Sequence, residues 1–332
     1  MEGQIKNKDG ENERLIDGYG RAIRSLRFSL TNRCNLNCIY CHNEGESRRA
    51  VKAEISAELV IAIARVASTY FGIRRIKFSG GEPLMRADLA EIVHGIRAYE
   101  DDISVTTNGI YLSNYAAELA DAGLDRLNVS LDTIKGERYD LITSSTNNLP
   151  RVIDGIYSAI DAGLTPIKLN MVILNGINED EIEDLIDFVR ECNKRGEGEM
   201  AILQLIELIP SFDHSMQQYK ADFYAIEAKL KSKAAAIKMR RLQHRKKYFV
   251  DGVEVEVVHP LDNTEFCANC SRLRITSDGK IKPCLLRDDN LVSIDSVDEE
   301  QIASKLKLAM QYRAPFYGKR HPSISSSTVI FI

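Results

Sequence analysis

No apolar run in the 332-residue chain approaches the ~18 residues that a membrane span requires. The N-terminal stretch MEGQIKNKDGENERL is polar from its first residue and lacks the apolar core of a signal peptide, so the reducing cytoplasm is the expected compartment. An excess of positive charge is missing too: the formal net charge is -4, which argues against a broad nucleic-acid surface or an anionic membrane as partner. Any anionic substrate must therefore meet a local cluster of Lys and Arg. Nor is there an internal repeat beyond a βα rhythm, and SISSS near the C-terminus is the single low-complexity patch. The seven cysteines do not form a disulfide framework, since six fall in two tight clusters and Cys192 stands alone as a helix thiol.

What is present is ordinary globular composition, 44% hydrophobic and 28% charged, in a chain long enough to bury a core without staples. From Ser25 to about Leu208, short alternating apolar runs trade places with longer helix-period stretches. This is the signature of successive βα units. The expected strands are SLRFSLT, RIKFSGG, ISVTTNG, RLNVSLD, PIKLNMVI and AILQLIEL, six in all. Between them lie helical stretches, several opened by Ser or Asp and closed by Gly. Six βα units with short connections predict an α/β fold whose parallel sheet curves into a partial (β/α)6 TIM-like barrel, with a flat doubly wound sheet as the alternative. After Pro210 the rhythm stops. A helix over roughly residues 221–236 and a hairpin turning at Asp251-Gly252 open a smaller C-terminal module, which divides the chain into 1–209 and 210–332.

Ligands of such sheets bind at the C-terminal strand ends, where SLTNRCNLNC, FSGGEP, TTNG and SLDT fall. Alternation along the strands places Leu26 and Phe28 opposite Arg27, Ile76 and Phe78 opposite Lys77, and Leu169 and Met171 opposite Lys168. With the apolar faces packed on outer helices, Arg27, Lys77 and Lys168 line the lumen. Three buried cations are costly unless an anion joins them, so a pocket for phosphate or carboxylate is expected.

Cys34, Cys38 and Cys41 crowd three thiols into eight residues as C-x3-C-x2-C, and Cys267, Cys270 and Cys284 form a second trio as C-x2-C-x13-C. Closed zinc sites prefer four ligands. His42 and His259 are the candidate fourth ligands, the first adjacent to Cys41 and the second ahead of its motif. Three cysteines on a cuboidal iron-sulfur cluster leave one iron open for an exogenous ligand, which suits the count of each trio better. Arg272 and Arg274 stand on one side of a strand beside the second trio, as a substrate site requires.

The first trio, with Tyr40 before its last cysteine, and Gly80-Gly81-Glu82-Pro83 after the second strand together resemble the radical S-adenosylmethionine superfamily. That resemblance implies an open iron that chelates S-adenosylmethionine, whose reductive cleavage yields methionine and a 5′-deoxyadenosyl radical. The wider set, Asp17-Gly18-Tyr19-Gly20-Arg21, LRFSLTNRCNLNCIYC, FSGGEPLMR, TTNG, LNVSLDTI, KLNMVILNGIN and FCANCSRLRITSDGKIKPCLL, is similar to the molybdenum cofactor biosynthesis protein A family, the GTP 3′,8-cyclases. It covers most of residues 17–287. By resemblance, the activity is removal of hydrogen from the ribose C3′ of GTP and closure of C3′ onto C8 of guanine. The implied cofactors are two [4Fe-4S] clusters and S-adenosylmethionine. Cys34, Cys38 and Cys41 would hold the radical-generating cluster, with Tyr40, Gly81 and Ser130 at S-adenosylmethionine. Cys267, Cys270 and Cys284 would hold the auxiliary cluster. Arg27, Lys77, Thr106, Lys168, Arg272 and Arg274 match GTP-contacting positions, and Arg27, Arg272 and Arg274 would act in catalysis. Expected partners are GTP, an electron donor, a downstream pterin-forming enzyme and a second copy of the chain in a homodimer, with no nucleic acid and no membrane.

The chain departs from that family's pattern at four places. Lys77 and Gln204 stand where Arg is expected, Ile209 where Met is expected, and the end Thr328-Val329-Ile330-Phe331-Ile332 replaces a flexible Gly-Gly tail. Two other readings compete with GTP cyclisation: a radical peptide maturase, whose extensions carry more cysteines, and a zinc-stabilised regulator without catalysis.

Overall fold

The computed structural model describes residues 12–46, 53–209, 216–240, 242–260 and 264–315; the C-terminal Thr328–Ile332 lies outside them. The predicted βα units are all present; the fifth strand ends where its apolar run does, and the other five strands end one to two residues earlier than theirs. The six are β1 (Ser25–Ser29), β2 (Arg75–Ser79), β3 (Asp102–Thr107), β4 (Arg126–Ser130), β5 (Ile167–Ile173) and β6 (Ala201–Glu207). Each pairs in parallel with the next.

The helices follow from local chemistry. In α1 (Ala57–Phe71) the Ser56 side chain caps the first turn by accepting from the Leu59 amide at 3.2 Å. Gly72 ends it at φ +65°, a left-handed conformation that glycine adopts without strain. α2 (Leu89–Ile96), α3 (Leu112–Asp121), α5 (Leu149–Asp161) and α6 (Ile182–Asn193) complete the outer layer. Their buried stripes meet Leu26, Phe28, Ile76, Phe78, Val105, Leu169, Met171, Leu203 and Leu205, all essentially inaccessible to solvent, in one continuous core. Burial of each such side chain contributes roughly 1.5–3 kcal/mol, so the apolar faces of the strands are committed outward and the polar faces inward. Cys192 lies fully buried on α6, as a helix thiol, and burial pushes it up to about 12.

α4 (Gly136–Thr143) was not apparent in the sequence because only Tyr139, Ile142 and Thr143 of its eight residues are buried. Beyond β6, α7 (Phe223–Lys233) falls within the expected helical stretch, with Asp222 as its cap. β8 (Lys246–Val250) and β9 (Val253–Val258) form the predicted hairpin, with Asp251 at φ +49° and Gly252 at φ +79° in the turn. β7 (Ala236–Met239) extends that hairpin as an edge strand whose four residues are all exposed. α8 (Thr264–Ala268), β10 (Arg272–Ile275), β11 (Lys280–Lys282), β12 (Val292–Ser293) and α9 (Glu299–Gln311) follow.

The sheet order is β12-β11-β10-β1-β2-β3-β4-β5-β6-β9-β8-β7. The segments after β6 therefore add to both edges of the six-stranded sheet. β9 pairs in parallel with β6, and β10 pairs in parallel with β1. This second pairing carries the second thiol trio to the side of the strand that precedes the first.

Candidate active site

The first trio occupies the loop after β1, and three neighbouring loops hold it. The Gly81 amide donates to the Thr31 carbonyl at 2.6 Å, and the Glu82 amide to the Arg33 carbonyl at 2.8 Å. A Cβ at Gly81 would stand 2.1 Å from the Arg33 carbonyl oxygen, and Gly80 sits at φ +140°, so this approach admits only glycine. The Glu82 carboxylate accepts from Thr107 Oγ1 and the Asn108 amide, both at 2.7 Å, which ties the β2 loop to the β3 loop. Asn108 in turn donates to Asn35 Oδ1 at 2.7 Å, next to Cys34. From below, the end of α4 accepts the Asn37 and Ile39 amides on its Thr143 and Ile142 carbonyls, at 3.1 and 2.9 Å. The helix missed in the sequence is thus an anchor of the thiol loop.

Tyr40 donates its hydroxyl to Asp132 Oδ2 at 2.6 Å, and Asp132 Oδ1 accepts from the Val172 amide at 2.8 Å. Burial raises the Asp132 carboxyl to about 6 despite those two donors. Burial, then Glu82 and Cys41, push the Cys34 thiol up. Burial, then Asp132 and the sister thiols, push Cys38 up further. A bound cationic cluster would offset the cost of ionising these thiols. Among the described residues no three His, Cys, Asp or Glu side chains converge on a single-ion site. A cuboidal cluster spaces its thiolates further apart than one ion does.

The second trio lies in the opposite electrostatic setting. Arg313, almost fully buried, donates to the Cys270 carbonyl at 2.6 Å and pairs with the buried Asp17. Arg21 donates to the Cys267 carbonyl at 3.0 Å and shares Asp17 at 2.8 Å. Burial alone would raise Asp17; the Arg21 amide, then Arg21 and Arg313, outweigh it and hold the carboxyl below its usual range. Burial would likewise raise Cys270, yet Arg313, Arg274 and Arg272 outweigh it and bring the thiol down.

Between the trios the lumen is cationic, and the register explains why. Arg274, Arg27 and Lys77 stand abreast on β10, β1 and β2, and Thr106, Asn128 and Lys168 stand abreast on β3, β4 and β5. Arg27 donates to Ser79 Oγ at 2.9 Å and forms an ion pair with Glu44. Lys168 bonds Glu256 Oε2 at 2.6 Å, so two of the three lumen cations inferred from alternation already have protein carboxylates. Lys77 has no ion pair among the described residues; burial, then Arg27 and Arg272, drive its pKa far down. Burial and neighbouring cations also depress Arg272 and Arg274. Arg274 Nε and Thr106 Oγ1 are buried without a hydrogen-bond partner among the described residues.

A cavity of about 370 Å³ joins these parts, lined by all six clustered cysteines together with Tyr40, Gly81, Ser130, Arg27, Lys77, Thr106, Arg272 and Arg274. Of the sequence-inferred site residues only Lys168 is absent from this lining; it faces an adjoining cavity of about 850 Å³ toward the N-terminal strand ends, which shares Lys77, Gln204 and Arg272 with the first. Glu44, Asp132, Glu256 and Arg313 escaped sequence reasoning. Asp132 alone had a signal, its place in SLDT at a strand end.

The radical SAM superfamily pattern matches residues 28–189, and the Molybdenum Cofactor Synthesis C pattern matches residues 201–319. A relative from Methanosarcina mazei, named Probable GTP 3′,8-cyclase, is 49% identical over 93% of this chain and 92% of its own. One of the same name from Archaeoglobus fulgidus is 44% identical over 91% of this chain and 99% of its own. Among solved structures, Streptococcus suis SuiB bound to precursor peptide SuiA superposes with TM-score 0.63 at 16% identity, over 90% of this chain and 67% of SuiB. Native anSMEcpe with bound AdoMet gives TM-score 0.58 at 16% identity, over 85% and 79%. These two establish the shared fold. With relatives at 44–49% identity over at least nine-tenths of its length, the chain belongs to the GTP 3′,8-cyclase family of the radical SAM superfamily.

Proposed function

We propose that this chain converts GTP to (8S)-3′,8-cyclo-7,8-dihydroguanosine 5′-triphosphate, the first step of molybdenum cofactor biosynthesis. Membership of the superfamily implies S-adenosylmethionine and an iron-sulfur cluster; the proposal adds a second cluster on Cys267, Cys270 and Cys284. The observation that carries the reading is the cavity on which both thiol trios open together with Arg27, Lys77, Arg272 and Arg274. A substrate held there touches both ends at once.

When bound, the cluster on Cys34, Cys38 and Cys41 and S-adenosylmethionine supply the carbon radical that takes hydrogen from the ribose. This chain's own residues do the rest by position and charge. Gly81, packed without a Cβ against the Arg33 carbonyl, lines the wall where the cofactor would lie, Tyr40 is fixed by Asp132 at its side, and Ser130 lines the same wall. Arg27, Lys77, Thr106 and Lys168 bind the nucleotide in the proposal, and Arg272 and Arg274 place it against the second trio. Burial, then repulsion from neighbouring cations, pushes Lys77, Arg272 and Arg274 down, and a bound polyphosphate would relieve that repulsion. The division at residues 209 and 210 is proposed as one between the radical-generating barrel and the substrate-holding module. An electron donor and a downstream pterin-forming enzyme, in the cytoplasm, complete the proposed setting.

The test is anaerobic incubation of cluster-reconstituted, reduced protein with S-adenosylmethionine and GTP, analysed by mass spectrometry. The expected result is 5′-deoxyadenosine together with a cyclised isomer of GTP. Deoxyadenosine without the cyclised nucleotide overturns the substrate assignment and keeps the radical enzyme.

A further inference from the structure

The wall of the lumen formed by β5, β6 and β9 carries an arrangement that the reading above leaves unused. Asn170, Gln204 and Glu256 stand abreast on these strands. Glu256 is completely buried, and three cations converge on it: Lys168 at 2.6 Å, Arg240 at 3.0 Å and Arg245 at 3.1 Å. One carboxylate balances one of the three charges. Two remain, and the cavity beside them is further lined by Arg24, Lys77 and Arg126, with Asp102, the ion-pair partner of Arg126, as its lining carboxylate. Uncompensated charge at this burial is unstable unless an anion joins it.

Arg240 and Arg245 come from outside the six-stranded sheet, at the facing ends of β7 and β8. The Arg240 amide donates to the Arg245 carbonyl at 2.8 Å, which closes the connection between the strands. Gln243 and His244 within it take φ +57° and +47°. Arg245 is 9% exposed at its side chain, lies 5.7 Å from the Phe266 ring centroid, and lines both cavities. Its Nε is buried with no acceptor among the described residues. A guanidinium whose Nη1 is held by Glu256 and Nη2 by Gln243 Oε1, and whose Nε is unmatched, presents a donor of the kind a phosphate oxygen accepts.

We propose that Arg240 and Arg245, oriented by Glu256, bind the phosphate end of the nucleoside triphosphate, supplying from the β7–β8 hairpin the positive charge that β6 lacks at Gln204. The assignment rests on the reading of GTP as substrate. It makes the hairpin a specificity element for the number of phosphates and Glu256 a positioning residue. Lys168, on the neighbouring strand, reaches the same carboxylate, so strand and hairpin form one phosphate clamp around a single buried acid.

The experiment is calorimetric titration of cluster-reconstituted protein with GTP, GDP, GMP and guanosine. Arg245→Ala and Arg240→Ala are expected to weaken GTP about ten- to hundredfold each, with losses that shrink as phosphates are removed and vanish for guanosine. Arg245→Lys is expected to fall between wild type and Arg245→Ala, and Gln204→Arg in the Arg245→Ala background to recover part of the loss. S-adenosylmethionine affinity stays unchanged throughout and reports an intact fold. Equal losses for GTP and guanosine, or no loss for GTP in either alanine variant, overturn the assignment while GTP binding by the wild type stands. Wild-type protein that binds no GTP overturns this inference and the proposed substrate together.

Discussion

The two ends of the central cavity carry the same ligand type in opposite fields. At Cys34, Cys38 and Cys41 the nearby charges are the buried carboxyls of Glu82 and Asp132, and burial with those charges pushes the Cys34 and Cys38 thiols up. At Cys270 the nearby charges are Arg313, Arg274 and Arg272, which outweigh burial and bring the thiol down. The spacing of cysteines alone does not distinguish these ends; their surroundings do. In a low-dielectric enclosure an acidic end favours a cationic ligand, and a basic end favours an anionic one. The sulfonium cofactor and polyphosphate substrate of the proposed reaction differ in this way, so the acidic end suits the first and the basic end the second.

The sharpest break of the comparison is removal of one ligand at the acidic end. Cys34→Ala is expected to reduce 5′-deoxyadenosine formation to background and to lower iron content, while GTP binding at the basic end persists in calorimetry. Loss of both bindings would mean that the ends are not separable. Next in size, Arg272→Ala is expected to slow formation of the cyclised nucleotide by about 10²–10³-fold, with deoxyadenosine formation reduced far less. Arg272→Lys recovers a part, because an ammonium keeps the charge and loses the planar fork. Equal loss of both products would place Arg272 in the general scaffold.

Much of this polarity was legible in the sequence, for a physical reason. Strand alternation is local, so the inward positions of Arg27, Lys77 and Lys168, and of Arg272 and Arg274 on β10, follow from neighbours one residue away. The thiol trios are local too. What was not legible is the pairing of those cations. Glu256 lies 88 residues from Lys168, and Arg313 lies 296 residues from Asp17. Each partner is set by which strands become adjacent at the sheet edges, and no local pattern encodes that adjacency. β7 escaped for a related reason: with all four residues exposed it has no buried face to impose alternation.

A smaller effect sharpens the acidic end. Asp132→Asn leaves one oxygen where two now serve Tyr40 and the Val172 amide, and it removes the negative charge. S-adenosylmethionine affinity is expected to fall about tenfold, with GTP affinity unchanged, by titration of each ligand. An equal fall for both ligands would dissolve the distinction between the ends.

The smallest predicted effect is a pH dependence at the basic end. Burial, opposed by Glu256 and reinforced by Arg240 and Arg245, lowers Lys168 from 10.5 to about 8. Glu256 behaves in the opposite way: burial would raise it, and Lys168, Arg245 and Arg240 together hold it far below the usual range. The two are compatible, because the acid is served by three cations while Lys168 receives a share of one acid and the repulsion of two guanidinium groups. The folded protein therefore gives up the Lys168 proton near pH 8, whereas the unfolded chain keeps it until about 10.5. Between those values the unfolded state binds more protons, so this group's contribution to stability rises with pH. GTP affinity moves the other way, declining about threefold to tenfold as pH rises from 7 to 9 and the ammonium is lost. Lys168→Arg stays charged across this range and shares every titration of the nucleotide, so the difference between the two proteins isolates Lys168. Parallel declines in both would show that Lys168 does not meet the nucleotide.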